Sequence, residues 1–307
     1  MPIPNFQTIM LPLLKIAADG KDHTQAEAII ALASEFNLSK EEINETRLNT
    51  RQTLFDNRIA WAKYHMKKAG LLEFPRRAFF QITDLGRQVL AQKTSKINVA
   101  FLKQYPEYLE FIGGNRTELE TGKDNILEMA TEKATPEEII DKGYLDIRRA
   151  VASDLLERVL SLSPLRFERL VIELLVKMGY GGGFKDASTH SGKSGDEGID
   201  GTIREDKLGL DVIYIQAKRW KPGNQVGRPE IQKFVGALAG QGAKKGVFIT
   251  TSTFSKEARD YTPRNETKIV LLDGEELMQL MIDYNLGVST INIYEIKQVD
   301  SDYFGEE

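Results

Sequence analysis

The sequence predicts two domains of different class: an N-terminal winged helix-turn-helix, then a mixed sheet flanked by helices, so that an α+β chain passes into an α/β one. Three observations carry this expectation. The 307 residues amount to about two domains of ~150 residues each. The first hundred residues carry helical periodicity closed by a short hairpin, whereas residues after Ser163 alternate helix-like and strand-like segments. Between them, Gly113-Gly114-Asn115 and Thr121-Gly122-Lys123 lie in a polar stretch where the periodicity fades. The expected division is therefore a winged-helix domain over 1–95, a linker over 96–135 and a second domain over 136–307.

Residues 22–36 open on polar side chains and then place Ala26, Ile29, Ile30, Leu32, Ala33 and Phe36 at helical spacing, which predicts the first helix. Ser39 followed by Glu42 is a capping-box start for a second. A third helix, over about 57–69, ends at Gly70, where a left-handed cap needs a residue without Cβ. Residues 71–74 and 78–82, joined across Pro75-Arg76-Arg77, predict a hairpin, and a further helix follows from Asp84. Three helices and a two-stranded wing are the order of a winged helix-turn-helix, whose third helix enters the major groove of DNA.

Thr135-Pro136-Glu137-Glu138 starts a long helix, with proline at its first position. Ile140, Tyr144, Ile147, Val151, Leu155, Val159 and Leu162 recur at three- and four-residue steps, which predicts one buried stripe docked on the second domain or on its copy in a dimer. Ser163-Pro164 opens the next helix, running to Met178 and stopped by Gly179. Strands are expected at 199–203, 212–218, 246–251 and 268–272, with helices at 229–241, 255–261 and 275–284. That order specifies a mixed sheet flanked by helices.

Composition narrows the chemistry. Without a single cysteine there can be no disulfide, thiolate metal site or cysteine nucleophile, and the three histidines, His23, His65 and His190, are too dispersed for a histidine cage. The longest apolar run, residues 28–33, falls far short of the ~18 a membrane helix needs. The N-terminus MPIPNFQTIM lacks the basic-then-apolar pattern of an export signal. A cytoplasmic chain without a membrane span is expected, whose chemistry rests on carboxylates, amides, hydroxyls, lysine and arginine.

The net charge of -4 is uneven: residues 1–100 carry 14 basic and 10 acidic groups, residues 101–150 carry 7 and 11, and the remainder 20 and 24. Residues 47–77 alone hold Arg47, Arg51, Arg58, Lys63, Lys67, Lys68, Arg76 and Arg77 against Asp56 and Glu73. Such a cluster is either a solvated helix face or a polyanion contact. Its position on the third helix and the wing favours the contact, with Arg58, Lys63, Lys67 and Lys68 on the helix and Arg76 and Arg77 at the wing tip as the candidate duplex-binding residues. Trp61 is read as core.

The chemistry concentrates in residues 190–221, HSGKSGDEGIDGTIREDKLGLDVIYIQAKRWK. Gly192, Gly195, Gly198 and Gly201 make a pliant loop that delivers Asp200 to the edge of a strand. In the next strand, Val212, Tyr214, Gln216 and Lys218 share one face and Ile213, Ile215 and Ala217 the other. If the two strands pair, Asp200 lands beside Gln216 and Lys218. Acid and lysine on adjacent strands form either a surface ion pair or a phosphodiester-cleaving site, in which a carboxylate holds a divalent metal and the lysine stabilises developing charge. Hard oxygen ligands suit Mg²⁺ or Mn²⁺.

Other features are weaker. Gly192-Lys193-Ser194 imitates the end of a phosphate-binding loop, but the first glycine of that motif would fall at Ala187 and no helix follows, so nucleotide hydrolysis is not expected. His190 is read as a loop residue. The hydroxyls of Thr250-Thr251-Ser252 could hold a phosphate or cap the following turn.

An acid at a strand start, then a strand bearing a two-residue-spaced pair that ends in lysine, resembles the PD-(D/E)XK nuclease core. More closely, Asp196-Glu197-Gly198-Ile199-Asp200-Gly201, Gln216-Ala217-Lys218-Arg219-Trp220 and Gly246-Val247-Phe248-Ile249-Thr250-Thr251-Ser252 resemble the Mrr restriction endonuclease family, over nearly the whole chain. The resemblance implies a restriction-endonuclease-like fold for the second domain and a modification-dependent (type IV) endonuclease acting on methylated double-stranded DNA. It assigns Asp200 as a metal ligand, the Ala217 carbonyl as a backbone ligand and Lys218 as the catalytic lysine. Gln216 stands where most of the superfamily has glutamate; a neutral amide contributes an oxygen but no charge, so metal affinity is weaker or another carboxylate lends its charge. Glu168, at the edge of the stripe formed by Phe167, Leu170, Val171, Leu174, Leu175 and Met178, is the candidate. Because one such site cuts one strand, double-strand cleavage requires a homodimer or larger assembly. The rival reading is a non-cleaving winged-helix regulator or methyl-DNA reader on a decayed nuclease core; Gln216 favours it, while Asp200 and Lys218 oppose it.

Overall fold

A computed structural model describes residues 2–48, 50–113, 134–181, 198–206, 210–221, 223–261, 267–300 and 303. The chain divides into two compact units, Met1–Leu145 with Gln298–Glu307, and Asp146–Lys297. The boundary lies ten residues into the long helix, rather than at its start as the sequence suggests.

The first unit begins with a helix that the sequence pattern does not single out, α1 (Phe6–Ile16), started by the Asn5 side chain and containing Pro12. Next come β1 (His23–Thr24), α2 (Gln25–Glu35), the short α3 (Lys40–Ile43), α4 (Leu54–Lys68), β2 (Leu72–Glu73), β3 (Phe79–Ile82) and α5 (Asp84–Ala91). The helix expected from residue 22 starts at 25 because Thr24 and Glu27 form a capping box, while His23 and Thr24 pair with Phe80 and Phe79. The sheet has three strands, ordered β1-β3-β2 and antiparallel, one more than the expected hairpin. Ser39 and Glu42 form the second capping box, and Gly70, at φ +74, closes α4. Phe6, Ile9, Met10, Leu13 and Leu14 of α1 are buried against Phe55, Ile59, Ala62 and Met66 of α4. Two short helices, α6 (Val99–Leu102) and α7 (Pro106–Gly113), follow within the stretch assigned to the linker, and Tyr108 is fully buried.

The long helix α8 (Pro136–Ser161) starts where Thr135-Pro136 places it. Its apolar stripe is buried at Leu155 and Val159, whereas Ile140, Tyr144 and Ile147 are exposed in the single chain, so within one chain only the C-terminal part of the stripe is covered. The first turns of α8 are held by polar contacts inside the first unit. The Arg58 guanidinium donates to both carboxylate oxygens of Glu138 at 2.9 and 2.8 Å and to the carbonyls of Ile3 and Pro4 at 2.6 and 3.3 Å. Trp61 Nε1 donates to Glu137 at 2.7 Å, the Thr135 hydroxyl to Asn57 at 2.7 Å, and Arg47 pairs with Asp141 at 3.1 Å.

The second unit is a four-stranded mixed sheet with helices on both faces. Its elements are α9 (Pro164–Lys177), β4 (Gly201–Arg204), β5 (Val212–Lys218), α10 (Arg228–Gly240), β6 (Lys245–Thr250), α11 (Lys256–Arg259), β7 (Lys268–Leu272) and α12 (Gly274–Asp283). Strand order is β4-β5-β6-β7, antiparallel for the first pair and parallel for the others. The pleat sends Ile213, Ile215, Val247 and Ile249 into a core with α9 and α12, while Phe248 packs with Ile231, Phe234 and Leu238 of α10 on the other face. Gly246 is required at that contact, because a Cβ there would stand 2.8 Å from both Phe234 and Leu238.

Arg58 and Glu138, each with a side chain 15% exposed, form a structural pair, and removing one partner strands the other. Arg58→Ala should lower the unfolding free energy by about 3 kcal/mol, measured by urea denaturation, with Arg58→Met plus Glu138→Leu recovering most of the loss. Unaltered stability in Arg58→Ala would show that the pair is solvated.

Candidate active site

The antiparallel register of β4 and β5 sets Gly201 opposite Ile215, and the Asp200 N–H continues the ladder by donating to the Ile215 carbonyl at 2.8 Å. The Asp200 side chain consequently lies over the end of β5. Its Oδ2 accepts two hydrogen bonds, from Gln216 Nε2 at 2.7 Å and from the Ala217 N–H at 2.7 Å. Gln216 is buried at 5% exposure, and its amide is held by the bond to Asp200. Gly198 makes room for it: φ is +100, and a Cβ would come within 2.8 Å of Gln216 Oε1. In this arrangement the glutamine presents its nitrogen to Asp200 and its oxygen to the Gly198 backbone.

Lys218 follows two residues later on the Gln216 face and is held where β5 meets β6. Its carbonyl accepts from the Thr250 hydroxyl at 2.9 Å and the Thr251 N–H at 3.2 Å. The ammonium lies 3.7 Å from Glu230 Oε2, while Glu230 Oε1 takes Lys233 at 2.8 Å. Hydrogen bonding to Lys233, and then the charge of Lys218, hold the Glu230 carboxyl below the usual range. Glu168, on α9, has its carboxyl pushed up, first by burial and then by the charge of Asp200. Asp200, Gln216 and Ala217 of the sequence-derived set are thus joined by hydrogen bonds, Lys218 follows on the Gln216 face with its ammonium at Glu230, and Glu168 lies within the influence of the Asp200 charge.

Glu230 was missed from the sequence. Pro229 marked a helix start, and the signal available was an acid beside that proline in the helix following the lysine strand. The hydroxyls of Thr250, Thr251 and Ser252 are buried and donate to the carbonyls of Lys218, Trp220 and Asn224, so they brace the loop after β5 and offer nothing to a phosphate. His190, Gly192-Lys193-Ser194 and Asp196-Glu197 lie outside the described residues.

Two carboxylates and an amide oxygen are a hard-oxygen donor set of the kind that suits Mg²⁺ or Mn²⁺. Among the described residues no three His, Asp or Glu side chains converge as a metal cluster, so the cation fits only if Gln216 or a backbone carbonyl completes the set. Among them, too, no helix is long and apolar enough to cross a membrane.

The basic cluster divides in two. Arg47 and Arg58 turn inward to Asp141 and Glu138, which removes Arg58 from the candidate duplex contacts in this structure. Lys63 is half-buried, with its ammonium 5.2 and 5.7 Å from the ring centres of Phe80 and Phe74, and burial lowers its pKa. Lys67 stands over Phe74 at 4.5 Å, Lys68 over Phe111 at 5.2 Å and Arg76 over Phe79 at 3.9 Å; these three and Arg77 are exposed.

Residues 159–281 match the family described as restriction endonuclease (Mrr catalytic type), and residues 6–92 match the Mrr N-terminal domain. The chain is 37% identical over 317 aligned positions to the type IV methyl-directed restriction enzyme EcoKMrr of Escherichia coli K12, covering 99% of this chain and all of that one. Among solved structures it is similar to the DNA modification-dependent restriction endonuclease AspBHI (17% identity, TM-score 0.36, 71% of this chain and 56% of that one). It is also similar to MspJI restriction endonuclease in complex with a 27-mer oligonucleotide (20% identity, TM-score 0.34, 67% of this chain and 44% of that one). With a relative at this identity spanning both units, and both of its parts matched in order, the chain belongs to the Mrr family of restriction endonucleases.

Proposed function

We propose that this protein is a modification-dependent (type IV) restriction endonuclease that hydrolyses phosphodiester bonds of methylated double-stranded DNA with Mg²⁺ or Mn²⁺. The observation that carries the reading is the Asp200–Gln216–Ala217–Lys218 constellation at the end of β5. In support stands the 37% identity with a methyl-directed enzyme over the whole chain. A divalent cation supplies the charge that polarises the scissile phosphoryl group. Asp200 would hold it through the carboxylate oxygen not engaged with Gln216 Nε2 and Ala217 N–H, with the Ala217 carbonyl, the Gln216 amide oxygen after rotation of the amide, and Glu168 as further donors. Lys218 contributes a mobile ammonium that donates to the oxygen where negative charge grows.

The first unit would bind the duplex through Lys67, Lys68, Arg76 and Arg77, with Lys63 behind them. Residues 1–95 with the start of α8 are the proposed binding part and the residues from 146 the cutting part. Each site cuts one strand, so the active species is at least a homodimer, working in the cytoplasm. Incubating methylated and unmethylated plasmid with the protein in Mg²⁺ or EDTA tests the reading: methyl-dependent, EDTA-sensitive cleavage is expected. Binding to methylated plasmid without cleavage would establish the reader in place of the nuclease.

Lys218→Ala should abolish cleavage with the thermal midpoint and duplex affinity near wild type, and Asp200→Ala should abolish it with duplex affinity near wild type but a lowered thermal midpoint, because the Gln216 amide and the Ala217 N–H lose their acceptor; full activity in either removes the catalytic assignment.

Gln216→Glu would set a second carboxylate at the 2.7 Å contact with Asp200 Oδ2, so like charges should lower the metal-free thermal midpoint and make its rise with Mg²⁺ steeper than in wild type. Gln216→Leu should lose metal affinity. Calorimetry that finds Mg²⁺ binding unchanged in both variants would make residue 216 purely structural.

Neutralising Lys67, Lys68, Arg76 and Arg77 together should flatten the dependence of log affinity on log salt by about 0.9 for each phosphate that is no longer neutralised. A wild-type slope in this variant, read by fluorescence anisotropy, would place the duplex elsewhere.

A further inference from the structure

We propose that Glu230 is a positioning residue for Lys218, tethering its ammonium at the end of β5 without locking it. The proposal rests on the reading of Lys218 as the catalytic ammonium and adds the residue that aims it.

Glu230 is the third residue of α10 after the N-cap Gly227, with Pro229 in the same turn. Glutamates at this position in three other helices, Glu27, Glu42 and Glu276, fold back onto their own N-cap N–H and complete capping boxes. Gly227 has no side chain to reciprocate and α10 has no side-chain cap bond. Glu230 is thereby released from the capping task and reaches two lysines, one with each oxygen. The contact with Lys233 is a helix-surface pair three residues along, with Lys233 72% exposed, and a pair of that kind contributes little. The contact with Lys218 crosses from the sheet to the helix packed over that same face, so it follows from tertiary structure and not from helical spacing.

The distances separate a tether from a lock. Glu138, also the third residue of its helix, takes Arg58 in two bonds of 2.8 and 2.9 Å, and the guanidinium has no freedom left. Lys218 stays 3.7 Å from Glu230, beyond hydrogen-bond reach, with its side chain 31% exposed. Charge restrains the ammonium while its N–H groups remain available to a phosphate oxygen. Among the described residues its ion pair is with Glu230 and not with Asp200, and the neighbouring Gln216 carries no charge. A lysine stem has four flexible carbons, so without a counter-charge the ammonium would spread over positions far from the scissile group.

The test uses the full-length protein in single-turnover cleavage of methylated plasmid at saturating protein and Mg²⁺. Glu230→Gln should slow cleavage by roughly tenfold to a hundredfold, as expected for a misplaced catalytic group, with duplex Kd, Mg²⁺ midpoint and Tm held at wild type. Glu230→Asp should recover part of the rate, and Lys233→Ala should keep all of it. Independently of cleavage, acylation of Lys218 measured by peptide mass spectrometry should quicken several-fold in Glu230→Gln. A shifted Mg²⁺ midpoint would make Glu230 a metal ligand and overturn the positioning role. Unaltered cleavage and labelling would reduce it to a helix-start acid. Loss of cleavage in Lys218→Ala with a wild-type rate in Glu230→Gln would remove Glu230 alone, whereas full activity in Lys218→Ala would remove the reading of Lys218 and this proposal with it.

Discussion

Asp200 accepts one hydrogen bond from the buried Gln216 amide and another from the Ala217 N–H, both at 2.7 Å, and the geometry of the site depends on this pair of contacts. Bonds to an ionised carboxylate are short and strong, and here they join the residue before β4 to the last residues of β5. A slip of one residue between those strands would send Gln216 and Lys218 to the opposite face. Asp200 would then face Ala217 and the apolar side of the sheet. The ladder from Gly201–Ile215 to Arg204–Val212 and the glycine at 198 are therefore part of the proposed site, because they hold the register in which Asp200 meets Gln216 and Ala217.

The two faces of the sheet contribute different charges to that convergence. On one face α9 carries Glu168, whose carboxyl is pushed up first by burial and then by the charge of Asp200. On the other face α10 brings Glu230 to Lys218, where the carboxylate is stabilised in its charged form. The neutral Gln216 stands between them. Replacing an acid by an amide at this point spares Asp200 a charged neighbour at hydrogen-bond distance, and charge balance is carried by helices on either side of the sheet.

What was legible in the sequence follows the range over which its determinants act. Capping boxes at Ser39 and Glu42, the proline starts at Pro136 and Pro164, and the two-residue alternation through β5 are local, and they are found where the spacing places them. Helix α1 went unread because Pro12 interrupts its pattern, although burial of Ile9, Met10, Leu13 and Leu14 more than offsets the bond that proline lacks. Strand β1 went unread because two residues carry no period; pairing with Phe79 and Phe80 makes it a strand. Asp200 and Gln216 were legible together because a hairpin register brings them together, and Lys218 with them because it follows Gln216 two residues along the same strand. Glu230 was not, because its contact with Lys218 requires knowing which helix covers which face.

The basic cluster shows what a charge count omits. Eight cations between residues 47 and 77 suggest a strongly positive face, yet Arg47 and Arg58 are consumed by carboxylates that arrive from α8, about 80 residues or more along the chain. The cations left at the surface are distinguished by what lies beneath them. Lys67 and Lys68 rest on Phe74, Tyr64 and Phe111, and Arg76 rests on Phe79. An aromatic ring under a cation attracts it and restricts the rotamers of a long stem. Part of the side-chain entropy that binding a polyanion would cost is then already spent in the free protein. Lys63 marks the limit of this arrangement: with Phe74 and Phe80 both against it, burial lowers the affinity of its amine for the proton, so it is better suited to supporting the aromatic layer than to leading a phosphate contact. The surface proposed for the duplex is thus defined less by the number of its charges than by the rings of α4, the β2–β3 hairpin and α7 that hold them in place.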